Sequence, residues 1–132
     1  MGTPFEQKCK GRQLLFVKGC VDAPEMAQRP FGVQARGRLQ QILPSGQTVQ
    51  VPSIERDLYG RLVAELFLGG QSVNLRMVAQ GQAVVYSQYL SDCAATQNQY
   101  LQAENQAKQQ RLGFSSQANP VMPWDFRHSQ KP

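Results

Sequence analysis

A chain of 132 residues with a formal net charge of +5 and a pI near 9.4 is the size of one domain with a modest core, and its basic balance favours a polyanionic partner such as nucleic acid. No apolar run reaches the roughly eighteen residues of a membrane-spanning helix, and Leu14 to Val17 is too short to be the core of a secretory signal. Three cysteines, Cys9, Cys20 and Cys93, fit neither a complete disulfide framework nor a zinc site with paired ligands, so structural or free thiols are expected.

The first ordered piece is expected from about Phe5 to Val21. Cys9-Lys10-Gly11-Arg12 reads as a tight turn between two short strands, a hairpin on which Cys9 and Cys20 approach one another. Leu14-Leu15-Phe16-Val17 is apolar on both faces, as a buried strand requires. Pro30 to Leu43 reads as a helix, with Pro30 at its first position and Phe31, Ala35, Leu39 and Ile42 on one face. Arg29, Arg36 and Arg38 lie on or near the other faces, as a solvated surface able to steer nucleic acid. Pro44-Ser45-Gly46 ends this helix.

Gln47 to Pro52 alternates, with Val49 and Val51 on one side, as a half-buried strand does. A loop from Ser53 to Tyr59 leads to a strand from Leu62 to Phe67. Gly69-Gly70 makes a turn, and Ser72 caps a helix from Val73 to Gln80 that Gly81 terminates. Its apolar stripe is Val73, Met77 and either Gln80 or Val78. Ala83 to Tyr86 is a short strand. The longest helix spans about Ala94 to Leu112, with Tyr100, Ala103, Ala107 and Arg111 sharing a face with Glu104, and with Gly113 as its C-cap. Residues 1–114 form the domain, and 115–132 an irregular tail with Pro120, Pro123 and Pro132 that docks through Trp124 and Phe126. His128, the only histidine, reads as a solvated residue of this tail, which leaves cysteine chemistry without a base. Together these elements predict an α+β fold, a small Greek-key barrel with helices packed on it.

Chemistry concentrates in two stretches. Val21-Asp22-Ala23-Pro24-Glu25 carries two carboxylates beside a proline, and Asp57-Leu58-Tyr59-Gly60-Arg61 carries a carboxylate, a glycine and an arginine. Alone, either reads more readily as a turn. Together they supply an acidic pair and a phosphate-binding guanidinium, which phosphodiester hydrolysis needs. The chain resembles the thermonuclease family, the staphylococcal nuclease-like domains. The resemblance rests on both stretches and on Pro30-Phe31-Gly32, Gln34-Ala35-Arg36, Leu62-Val63-Ala64-Glu65, Val73-Asn74-Leu75 and Gly81-Gln82-Ala83. Tyr100-Leu101, Gln106-Ala107-Lys108 and Pro123-Trp124-Asp125-Phe126-Arg127 extend it over nearly the whole chain from about Cys9.

The resemblance implies an OB-fold barrel of the nuclease type with about three helices and a groove suited to single-stranded nucleic acid. It implies a calcium-dependent nuclease in which Asp22 holds the metal, Glu25 is general base or water orienter, and Arg61 clamps the transition-state phosphate. Tyr59, Lys18 and, more loosely, Tyr86 and Tyr89 fall to the substrate. Family members are often exported, and no signal stands in this chain. Two departures matter. The family's arginine eight residues before the motif's glutamate is Val17 here, and Lys18, one residue along, points to the opposite strand face unless the register slips or a bulge intervenes. The family's upstream acidic turn, a second source of metal carboxylate, falls where the chain begins at Met1-Gly2-Thr3-Pro4. A shortened sequence would account for the acidic turn but not for Val17. Loss of one preorganised donor costs a factor of about a hundred to a thousand, so a weakened enzyme is expected. The alternative is an inactive OB-type module that binds single-stranded nucleic acid or a protein partner. A barrel edge left open by a missing strand would also invite pairing with a second copy.

Overall fold

The computed structural model describes residues 6–8, 20–44, 46, 48–50, 54–56, 62–64, 66–86, 94 and 96–129. The fold is α+β. Strands β1 (Glu6–Lys8), β3 (Thr48–Gln50), β6 (Phe67–Leu68) and β7 (Gln71–Ser72) form an antiparallel sheet in the order β1-β3-β6-β7. Two further antiparallel pairs join β2 (Val21–Asp22) to β8 (Val84–Val85) and β4 (Ile54–Arg56) to β5 (Leu62–Ala64). The described strands close no barrel among themselves. The single strand expected from Leu62 to Phe67 is divided: β5 pairs with β4, whereas β6 pairs with β3 and β7. The Cys9 to Arg12 turn, the apolar Leu14 to Val17 segment and Val51 lie outside the described residues.

Helix α1 (Phe31–Ile42) buries Ala35, Leu39 and Ile42 on the face that the four-four-three spacing predicts, and leaves Arg29, Arg36 and Arg38 exposed. Phe31 meets Phe114 edge to face at 5.7 Å between ring centroids. Pro30 is the residue before the first helical one, a position earlier than its fixed φ suggested. Helices α2 (Val73–Ala79) and α3 (Gln97–Gln109) complete the core. Val73, Met77 and Val78 of the one and Tyr100, Ala103 and Ala107 of the other are buried, with Leu43, Val49, Ala83 and Val85 among their companions. Val49 is buried between exposed Thr48 and Gln50, the period of a half-buried strand.

Both helix ends have identifiable caps. The Ser72 side chain accepts from Leu75 N at 3.1 Å, which satisfies one of the orphan donors of α2. At the other end Gly81, with φ of +72°, donates to Val78 O while Gln82 N donates to Met77 O, the paired bonds of a Schellman cap. A side chain at Gly81 would stand 2.1 Å from Leu112 O, so close approach as well as φ selects glycine there. Helix α3 ends in the same pair of bonds, Arg111 N to Lys108 O and Leu112 N to Ala107 O, but Arg111 takes the left-handed conformation, with φ of +54°. The C-cap expected at Gly113 is therefore two residues early. Gly113 instead opens a 3-10 turn (Gly113–Ser116) whose Phe114 N donates to Gly81 O at 2.8 Å.

Further expectations are overturned. The loop expected from Ser53 to Tyr59 contains strand β4. The tail is not irregular throughout, because Pro123–Ser129 forms a fourth helix, α4, begun by a proline at a position where its missing N–H costs nothing. Four α-helices rather than about three thus stand among the described residues. Cys20, fully buried, is disulfide-bonded rather than a free thiol. Cys9 and Cys93 lie outside the described residues.

Candidate active site

Asp22 is the last residue of β2 and is held in register by β8, with Asp22 opposite Val84 and Val21 opposite Val85. The pairing continues one step further, where Tyr86 N donates to Cys20 O at 2.8 Å. The outer side of β8 is fixed by α3, since Glu104 Oε2 accepts from Val85 N at 2.6 Å. Beyond Asp22 the buried Pro24 turns the chain, and Gln28 secures Glu25 twice. Its Oε1 accepts from Glu25 N at 2.9 Å, and its backbone N donates to Glu25 O at 2.8 Å. Gly32 in the first turn of α1 lies directly against this backbone. A β-carbon there would stand 2.0 Å from Glu25 O, so only glycine lets α1 sit where it does.

The third member of the cluster comes from α4. Trp124 and Arg127 are three residues apart and share a helix face. Arg127 Nη1 donates to Glu25 Oε1 at 2.8 Å and to Asp22 Oδ1 at 3.2 Å, and its Nη2 pairs with Asp22 Oδ2. On the same face Trp124 stacks on Tyr86, with centroids 4.1 Å apart and planes 29° from parallel. Gln28 closes the dock by donating from Nε2 to Val121 O at 2.8 Å. The charged side chains are half-buried, with 27 % of Arg127, 18 % of Asp22 and 36 % of Glu25 exposed.

Burial raises the Asp22 carboxyl above its ordinary value, and the charge of Glu25 adds to this. The hydrogen bonds and charge of Arg127 and the Ala23 backbone N–H pull it back without cancelling the rise. For Arg127 burial acts downward, but hydrogen bonds to Asp22 and Glu25 and the charges of both outweigh it and hold the guanidinium above its ordinary value. It stays charged at every accessible pH.

A hard divalent cation such as calcium asks for about six to eight oxygen ligands. Asp22 and Glu25 offer four carboxylate oxygens, and three of these accept from Arg127. No group of three or more His, Cys, Asp or Glu side chains suited to a metal occurs among the described residues. As arranged, the pair fits a guanidinium and not a divalent ion.

Of the residues singled out from the sequence, Asp22, Glu25 and Tyr86 come together around the β2–β8 pair. Lys18, Tyr59 and Arg61, with Val17 and Asp57, lie outside the described residues, as does Tyr89. His128 is exposed. Sequence reasoning missed Arg127. The signal was present in the Pro123 to Arg127 run, where proline at a helix start and a three-residue step from Trp124 to Arg127 put an aromatic and a cation on one face.

Residues 16–117 match the family model described as staphylococcal nuclease homologue. The chain belongs to that family. An uncharacterised endonuclease of Escherichia coli O157:H7 is 38% identical over 109 residues, which are 82% of this chain and 67% of that protein. A micrococcal nuclease of Shigella flexneri is 38% identical over 120 residues, covering 84% of this chain and 66% of its own length. A staphylococcal-like nuclease of Arabidopsis thaliana is 31% identical over 111 residues, 84% of this chain but 32% of the plant protein. The match thus spans about two thirds of these bacterial relatives and a third of the plant one. Arg127 lies ten residues beyond the segment that the family model matches.

Proposed function

We propose that this domain is a phosphodiesterase that cleaves DNA or RNA with low sequence preference by hydrolysis, on an OB-type barrel whose groove takes single strands. The observation that carries this reading is the convergence of Asp22 and Glu25 at the end of β2, in a chain whose relatives bear nuclease names. Two carboxylates brought this close cost repulsion, which Arg127 offsets in the structure. In hydrolysis, water oxygen bonds to phosphorus as a base takes its proton, and the bond from phosphorus to the leaving ester oxygen breaks as that oxygen takes a proton from solvent water. Glu25 is the base, with Oε2 as acceptor because Oε1 is engaged by Arg127. Asp22 orients the cluster. Two carboxylates against one guanidinium leave the cluster negative, so phosphate must be held by cations from elsewhere, and Arg61 with Lys18 is assigned that part. Tyr59 and Tyr86 flank the bound nucleotide.

The fact that Arg127 engages both carboxylates favours one competing reading, a module that binds single-stranded nucleic acid or a protein without cutting it. The two readings separate on incubation of the protein with denatured DNA and with RNA, in calcium and in chelator, beside Glu25→Ala. Calcium-dependent cutting that is lost in Glu25→Ala supports the enzyme. Salt-sensitive retention of single strands without cutting supports the binding module.

A further inference from the structure

Where α3 ends, its last turn, the 3-10 turn and the tail up to Met122 line a cleft of about 640 Å³. Lys108, Arg111, Ser115 and Gln117 bring hydrogen-bond donors to it, and Val84 and Met122 are among its apolar members. Two of these donors are unspent. Arg111 is exposed, and its guanidinium makes no hydrogen bond or ion pair among the described residues. Ser115 is only 6 % exposed, yet its Oγ has no hydrogen-bond partner among the described residues. A buried hydroxyl without a partner is costly, and one on the wall of a cleft is accounted for by a group that enters the cleft. The backbone of Arg111 points the same way. A left-handed residue at a helix end favours glycine, and arginine at φ of +54° carries strain that glycine would not. What the position gains from arginine therefore lies in its side chain. We propose that this cleft is a phosphate subsite, in which Arg111 and Ser115, helped by Lys108, hold a backbone phosphate of a single-stranded nucleic acid beside the candidate active site.

The chemistry of the lining selects an anion. A phosphate diester offers only acceptors, and a guanidinium fork, an ammonium and a hydroxyl all donate to it. Lys108 is already shared, with Nζ 3.4 Å from Glu104 Oε1, so Arg111 sets the sign of the cleft. Ser116 Oγ and Gln117 Nε2 donate to Gly113 O and Phe114 O, which holds the 3-10 turn in shape and leaves Gln117 a second N–H to give. The place of the cleft ties it to the acidic pair. Val84 lines it and is the register partner of Asp22, so both sites stand on the β2–β8 ribbon, one strand apart. Met122 lines it from the tail and precedes the fully buried Pro123, so the subsite needs no movement of α4. A strand engaged at Asp22 and Glu25 thus meets a cation beside them in place of a second pair of carboxylates. The inference rests on the reading of this chain as one that takes nucleic acid strands, and not on whether it cuts them.

The experiment is a fluorescence-anisotropy titration of a labelled oligothymidine strand in chelator over a range of salt, with the Tm of each protein measured alongside. The variants are Arg111→Gly, Arg111→Lys and Ser115→Ala, beside Arg76→Gln, which removes an exposed cation of α2 outside the cleft. Arg111→Gly is expected to weaken binding by about fivefold to tenfold while its Tm rises, a pair of opposite effects that a merely structural arginine would not show. Its salt slope falls by about 0.7, the share of one phosphate contact on a single strand. Arg111→Lys keeps the slope and loses part of the affinity, because the charge remains and the fork is gone. Ser115→Ala weakens binding by about threefold with the slope unchanged, since the group removed is neutral. Arg76→Gln changes affinity by about twofold or less. Binding by Arg111→Gly and Ser115→Ala equal to that of the unaltered protein, or a loss no larger than that of Arg76→Gln, overturns the inference and leaves the proposed function standing. An unaltered protein that binds no strand in chelator also overturns it; if that protein fails to cut denatured DNA in calcium as well, the proposed function falls with it.

Discussion

Tyr100 is fully buried beside α2, its hydroxyl 3.3 Å from the Ser72 cap, whereas Arg127 is partly exposed between two carboxylates that precede it by more than a hundred residues. The first region is held by apolar area and by backbone bonds completed within a few residues, in the two Schellman caps and the Ser72 cap. The second shows, among the described residues, ion pairs, an aromatic stack, a side-chain bond to a carbonyl and the buried ring of Pro123. Salt and pH therefore work mainly on the second region, and side-chain volume mainly on the first.

The largest effect separating the two is expected in the first. Tyr100→Ala empties a fully buried position and is expected to cost about 3–5 kcal/mol by urea unfolding, with the same loss in low and high salt. A strong salt dependence would break the contrast. Gly32→Ala comes next. Its β-carbon would meet Glu25 O at 2.0 Å, so about 3 kcal/mol of overpacking falls where α1 supports the acidic pair. Cleavage is expected to fall further than the fraction of folded protein does, which assays at matched folded concentration would show.

Arg127→Ala is expected to cost about 1–2 kcal/mol, between the values for exposed and buried ion pairs, and less in high salt. The variant also has a pH signature. Asp22 is already raised above its ordinary value of 3.8 in the folded state, and loss of Arg127 removes the groups that pull it down. A raised carboxyl binds its proton more tightly in the folded than in the unfolded chain, so its stabilising contribution is present below 3.8 and is lost as pH rises through the folded value. The stability deficit of Arg127→Ala is therefore expected to be large at neutral pH and to shrink on acidification towards pH 4. A deficit that grows on acidification would count against this account of the cluster. The smallest effect is a gain: Arg111→Gly relieves a left-handed arginine at the end of α3 and is expected to add about 0.5 kcal/mol, measured as a rise in Tm.

The same contrast marks what could be read from sequence. The buried face of α1, the alternation around Val49, the Ser72 cap and the Gly81 stop follow local rules, and each stands where those rules put it. Local rules also explain the errors. Left-handed caps favour glycine, so Gly113 drew the end of α3, while Arg111 bears the strain and Gly113 serves the contact with Gly81. Helix α4 spans seven residues, too few for an apolar period to show. Asp22 and Glu25 were legible because proline and two carboxylates stand within five residues. Arg127 was not legible as their partner, because that pairing exists only once β2, β8 and the tail share one surface.

The brevity of α4 has a further consequence. Seven residues are far below the length at which a helix persists alone in water, so away from Tyr86, Asp22 and Glu25 its backbone loses most of its order. Any opening of this segment is then a local melting and not the swing of a rigid arm. The amides of residues 123–129 would exchange with solvent together, at a rate that rises with salt, while those of α3 keep the protection of the global fold.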